Sequence, residues 1–212
     1  LERSEQVELS RLATATTQLV ATSATDVELL IDGHAKYTKL LEDIAQAKSH
    51  IHLEYYIYAA DEVGLLIRDA LIERVRAGVT VRLLVDALGS ARSTKKFFKP
   101  LTDAGAELAW FHPTHFTRIW KIWQRPWVNL RSHRKIVVID SRIAYTGGSN
   151  VTVEEDESRR DDAYRDLHVR LTGKVVLQLQ QIFIEDWAYT TDQRDFISEI
   201  ARTLPELTDG PY

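Results

Sequence analysis

The sequence predicts an α/β fold, a mixed β-sheet flanked by helices in a three-layer sandwich. Strand-like and helix-like stretches alternate from Asp26 to Phe111, the rhythm of strand–helix–strand units. Val79 to Ala87 is a nearly continuous apolar run, as expected of a strand covered on both faces. Right-handed crossovers between such strands make the sheet at least partly parallel. After Phe111 the rhythm changes to a hairpin, which adds antiparallel pairing.

In order along the chain, residues 1–24 are polar with scattered leucines and predict a weakly amphipathic helix. Asp26 to Ile31 alternate as a short strand does. Ala35 to Lys48 place Leu40, Leu41, Ile44 and Ala47 at helical spacing. Ser49 to Ala59 read as a strand with Ile51, Leu53, Tyr55 and Ile57 on one face. Asp61 caps a helix that runs to Ala77 and ends at Gly78. A helix over 94–104 leads past Gly105 into a strand over 106–111. Ile136–Ile139 and Ile143–Tyr145 form a hairpin turning at Asp140-Ser141. Glu154 to Asp162 is a dense run of mixed charges, expected as an exposed loop, with a lid beside Asn150 as the alternative. Leu167–Leu171 predict a strand, and Lys174 to about Tyr189 a long helix. The organisation expected is an amino-terminal helical segment over 1–25, one catalytic domain over 26–192 and a linker-like tail over 193–212, marked by Pro205 and Pro211.

Composition narrows the function. The content of 44% hydrophobic and 27% charged residues fits a globular domain. A net charge of −4 gives no overall pull towards nucleic acid, which is not expected as a partner. The chain has no cysteine, so no thiolate metal site can form. No apolar run approaches the roughly 18 residues that cross a bilayer.

Chemistry concentrates between Ser132 and Asn150. On a strand, His133 and Lys135 project to the same face. An imidazole there can attack or protonate, and an ammonium group can neutralise phosphate oxygens. Asp140 has the opposite parity, and its expected work is to fix local backbone and position the strand. Gly147 and Gly148 allow close backbone approach to a ligand. The amides of Gly147, Gly148 and Ser149, with the Asn150 side chain, could donate to a phosphate.

The pattern H-x-K-x4-D-x6-G-G-x-N, filled by His133, Lys135, Asp140, Gly147, Gly148 and Asn150, resembles the signature of the phospholipase D superfamily. The stretches His52–Ile57, Leu71–Val79, Val81–Asp86, Tyr164–Arg170 and Phe183–Trp187 resemble the amino-terminal half of a bacterial cardiolipin synthase. The resemblance implies a phospholipase D-like sandwich and transfer through a phosphohistidine on His133. Lys135 and Asn150 would stabilise the phosphoryl oxygens, and Asp166 matches the carboxylate that holds the nucleophile's other ring nitrogen. It implies no cofactor and no metal. It also implies phosphatidylglycerol as an anionic phospholipid substrate, a membrane surface as partner, and the bacterial inner membrane as location, with the chain peripheral or anchored by other segments. The superfamily site uses two such motifs and this chain has one. The second is expected in the same polypeptide or from a homodimer partner. The alternatives are phospholipase D hydrolysis, a homodimeric nuclease or phosphodiesterase, and a catalytically silent scaffold.

Two weaker features complete the reading. Residues 110–131 hold Trp110, Trp120, Trp123 and Trp127 among Arg118, Lys121, Arg125 and Arg131, with no acidic residue. Trp120, Lys121, Trp123, Arg125 and Trp127 suit an interfacial, headgroup-binding loop. Packing on the core and base stacking are the competing readings. His50, His52 and Glu54 share a strand face, expected to be a polar face with Glu54 lining the phosphate pocket rather than a metal site.

Overall fold

The computed structural model describes residues 3–17, 21–112 and 131–212. After helix α1 (Arg3–Thr17) the chain forms β1 (Asp26–Ile31), α2 (Asp32–Gln46), β2 (His50–Tyr55) and α3 (Glu62–Arg76). Then come β3 (Thr80–Asp86), α4 (Lys95–Ala104) and β4 (Glu107–Phe111), followed by β5 (Lys135–Ile139) and β6 (Ile143–Gly147). A 3₁₀ turn (Val153–Glu155), β7 (Leu167–Thr172), α5 (Val175–Thr191) and α6 (Phe196–Thr203) complete it.

All seven strands share one sheet in the order β1-β7-β6-β5-β2-β3-β4. β2, β3 and β4 are parallel, and β5, β6, β7 and β1 are antiparallel to their neighbours. The mixed sheet expected from sequence is therefore present. The parallel part is where helices intervene between strands. The antiparallel part begins at the hairpin, whose three-residue loop Asp140-Ser141-Arg142 joins Ile139 to its partner Ile143, with positive φ of 54° and 51° at Asp140 and Ser141.

Strand parity decides which face each residue serves. Ile51, Leu53 and Tyr55 join Val81, Leu83, Val85, Val137 and Ile139 in the core beneath α2, α3 and α4. The opposite face carries Leu84, Ala109 and Phe111 against Phe183 and Trp187, and Ile136 and Val138 against Val176. β2 is buried along its whole length, because both helical layers meet over it.

Three expectations change. β2 stops at Tyr55, not Ala59. Beyond it the chain pairs with the motif loop instead: Val151 donates to the Ile57 carbonyl at 3.0 Å and Ala59 to the Val151 carbonyl at 2.8 Å. The charged run over 154–162 is not uniformly exposed, since Glu155 and Asp156 are buried. The tail is not wholly linker-like either: α6 buries Phe196 and Ile200 against Trp187, and Ala24 donates to the Tyr212 carbonyl at 2.8 Å.

Candidate active site

The site lies at the end of the sheet where β2 finishes and β5 starts, with Tyr55 directly opposite Lys135. His133 is exposed and Lys135 buried. The Lys135 ammonium stands 3.0 Å from His133 Nδ1 and donates to the His133 carbonyl at 2.9 Å. The Tyr56 ring lies 4.6 Å from the imidazole, centroid to centroid, and 5.6 Å from Lys135 Nζ. His133 lies two residues before β5 rather than on it, and the two side chains meet there all the same. Burial lowers the pKa of Lys135, offset by Glu155 and Asp166. An imidazole at the surface beside a fixed cation can attack an anionic phosphorus while the ammonium takes up the charge.

The Gly147–Asn150 loop is organised differently from the expectation. A Cβ on Gly147 would fall 2.7 Å from His168 Nδ1, and one on Gly148 would fall 2.1 Å from Asp166 Oδ1. The two glycines thus make room for His168, at the start of β7, and for Asp166 just before it. Asn150 is buried and committed: Oδ1 accepts from the Ile57 N–H at 3.1 Å, and Nδ2 donates to Glu155 Oε1 at 3.0 Å. Its side chain holds the loop and is not aimed at a phosphate. The Ser149 hydroxyl is buried without a partner and is the loop's uncommitted polar side chain. Asp166 accepts from the Leu167 N–H at 2.6 Å and forms no hydrogen bond with His133. It acts on the site through its charge, opposing with Glu155 the burial that lowers the Lys135 pKa.

Asp140 does what its parity predicts and takes no part in the pocket. Its carboxylate accepts from the N–H groups of Lys48, Ser49 and His50 at 2.9, 2.8 and 3.0 Å. That is the far end of β5, roughly 17 Å from Lys135 at strand rise. Asp140→Ala is therefore expected to cost about 2 kcal/mol of stability by orphaning these donors, with kcat little changed. Urea unfolding beside an activity assay checks both parts.

Glu54 does not line the phosphate pocket. It pairs with Ile136 in register and faces α5, on the other side of the sheet from Lys135, as do its strand mates. His52 stacks on Phe183 at 4.6 Å and meets Gln180 Nε2 at 2.8 Å, and His50 meets Ser141 Oγ at 3.1 Å. Glu54 accepts from the Ser132 hydroxyl, and Arg134 pairs with Asp186. Both neighbours of His133 are thus anchored from behind by carboxyl groups. Burial raises the Glu54 pKa, and the nearby Asp186 carboxylate raises it further. A carboxyl that keeps its proton longer when folded contributes stability that is complete below the ordinary carboxylate range. That contribution is lost as pH rises through the folded value. Glu54→Gln, an analogue of the protonated form, should flatten this loss, read as unfolding free energy at about pH 5 and about pH 9.

A cavity of about 420 Å³ opens beside His133, lined in part by Phe111, Arg134, Asp186 and Tyr189. Trp120, Lys121, Trp123, Arg125 and Trp127 lie outside the described residues. Among the described residues, no helix is long and apolar enough to cross a membrane. Sequence reasoning missed Lys36, Glu155, Ser132 and Asp186. Lys36 was detectable as a charge on the apolar stripe of α2, four residues before Leu40 and eight before Ile44.

Comparison with known proteins identifies the family. The family model described as "Cardiolipin synthase, PLD-like domain" matches residues 40–187. Cardiolipin synthase 1 of Bacillus anthracis is 41% identical over 199 residues, covering 90% of this chain and 38% of that protein. Major cardiolipin synthase ClsA of Bacillus subtilis is 44% identical over 169 residues, 79% of this chain and 34% of that one. The chain thus spans little more than a third of these relatives. Among solved structures, Nuc, a phospholipase D family member from Salmonella typhimurium, has a TM-score of 0.58 at 18% identity, covering 80% of this chain and 99% of Nuc. Phosphatidylserine synthase of Haemophilus influenzae has a TM-score of 0.58 at 16% identity, covering 92% of this chain and 47% of that one. These two share the fold. With more than half its length matched by the family model and His133 and Lys135 brought together at one end of the sheet, the chain belongs to the phospholipase D-like domain family of cardiolipin synthases.

Proposed function

We propose that this domain carries the nucleophile of a phosphatidyltransferase that joins two phosphatidylglycerols into cardiolipin and releases glycerol. The observation that carries the reading is the exposed His133 imidazole with the Lys135 ammonium 3.0 Å from its Nδ1, in a chain 38–44% identical to several cardiolipin synthases. His133 attacks the phosphorus of one lipid, and the bond from phosphorus to the headgroup glycerol oxygen breaks, leaving the phosphatidyl group on His133. A second histidine, from another motif copy, protonates that oxygen. A hydroxyl of the second phosphatidylglycerol then gives its proton to that second histidine, attacks the phosphohistidine phosphorus, and the P–N bond breaks to restore the free imidazole.

Lys135 stabilises the oxygens of the five-coordinate phosphorus, where charge accumulates. Asp166 and Glu155 hold that lysine charged. The second motif is supplied by further polypeptide or by a partner chain. The lipid substrate brings the protein to the inner-membrane surface, where the tryptophan-rich basic segment meets anionic headgroups.

The test is product analysis with the full-length protein on phosphatidylglycerol vesicles. A four-chain lipid and free glycerol in equal amounts support transfer. Phosphatidic acid as sole lipid product replaces it with hydrolysis, and metal-independent DNA cleavage without lipid turnover replaces it with a nuclease.

A further inference from the structure

Lys36 has no part in the chemistry assigned to His133 and Lys135, yet it is completely buried. Lysine is almost never fully buried unless paired, and removing an ammonium group from water is costly. From near the start of α2 its Nζ donates to the Ser149 carbonyl at 3.0 Å and to the Asn150 carbonyl. It lies 4.8 Å from the centre of the Tyr37 ring and 5.2 Å from that of Tyr55. The neighbouring Tyr37 hydroxyl reaches the carbonyls of Asn150 and Thr152 at 2.9 and 3.0 Å. This end of α2 thus grips the inner side of the motif loop.

The charges around Lys36 are those of the site. From the 3₁₀ turn, Glu155 attracts it; from the approach to β7, Asp166 does the same; from β5, Lys135 repels it. On β7, His168 is kept neutral by burial and by the ammonium groups of Lys36 and Lys135. Burial draws Lys36 itself down to about 7, so a phosphate anion nearby would favour its charged form. The Ser149 hydroxyl, the Tyr55 hydroxyl and both ring nitrogens of His168 are buried without partners. Polar groups left in that condition call for an explanation.

We propose that Lys36 is a positioning residue for phosphoryl transfer. Its ammonium group ties the Ser149 and Asn150 carbonyls inward and stands as a second positive charge behind Lys135, fixing the loop in the form that receives the phosphate. A neutral donor could hold the carbonyls. The charge matters when the five-coordinate phosphorus adds negative charge above it.

The inference rests on phosphoryl transfer at His133, and its test separates the two. In the full-length protein, kcat and KM on phosphatidylglycerol vesicles are measured for Lys36→Met, with His133→Ala as control and thermal unfolding of each. Lys36→Met should lower kcat about 100-fold and leave KM within about threefold. Its Tm should fall, since the Ser149 and Asn150 carbonyls and the buried Glu155 lose their partner. Lys36→Gln, which keeps a donor, should recover Tm while kcat stays low. Should Met fail to fold there, Lys36→Gln keeps an amide donor without the charge, and the same fall in kcat is expected. Wild-type kcat in either folded variant overturns the inference, as does a Lys36→Gln variant whose kcat recovers in step with its Tm. Turnover retained by His133→Ala instead overturns the phosphoryl-transfer reading itself.

Discussion

His133→Ala should abolish turnover in the full-length protein, lowering kcat by about 10⁴-fold or more, the scale of losing a nucleophile in covalent catalysis. Stability should barely change. The ring is exposed, and its neighbours are the Tyr56 ring and the Lys135 ammonium. Alanine removes no core packing. Lys135 keeps its bond to the residue 133 backbone carbonyl, so the cation stays in place. Rate measurements on phosphatidylglycerol vesicles, beside a melting curve, check both halves. A folded variant with more than a few per cent of wild-type turnover would mean that His133 is not the nucleophile.

Glu155→Ala should damage fold and activity together. The carboxylate is buried and accepts from the Asn150 backbone N–H at 2.6 Å and from its side-chain amide at 3.0 Å. It also attracts Lys36 and Lys135. Removing it orphans two buried donors and leaves the buried Lys36 without its main counter-charge. About 2–4 kcal/mol of stability should be lost, with kcat falling about 100-fold as the motif loop loosens. Glu155→Gln keeps an acceptor for the backbone N–H and should recover part of the stability, while the missing charge keeps kcat low. Urea unfolding of both variants beside their rates tests this. An unchanged midpoint for Glu155→Ala would show that the loop does not depend on it.

The fold was legible because its elements obey local rules. Asp61 caps α3 by accepting from Gly64 at 2.9 Å, and Gly78 closes it with φ of 87°. β1 runs from Asp26 to Ile31, as its alternation predicts. The histidine–lysine pair was legible from its two-residue spacing, although β5 begins only at Lys135 and His133 precedes it. What escaped is long-range. No local rule shows that Asn150 pairs with Ile57, which ends β2 early and consumes the amide expected to meet phosphate. None shows that Gly147 and Gly148 face His168 and Asp166, or that Glu155, inside a charged run, turns inward. Parity placed Glu54 away from the Leu53 and Tyr55 face. The register that sets it opposite Ile136, behind the sheet, needed the β2–β5 pairing.

The central claim is that a covalent phosphatidyl group is carried on His133. The full-length protein is mixed with phosphatidylglycerol vesicles, quenched at alkaline pH, where phosphohistidine survives, and digested for mass spectrometry. The account predicts a phosphatidyl adduct on the His133 peptide, and none in His133→Ala. Turnover with the adduct on a different residue would contradict it.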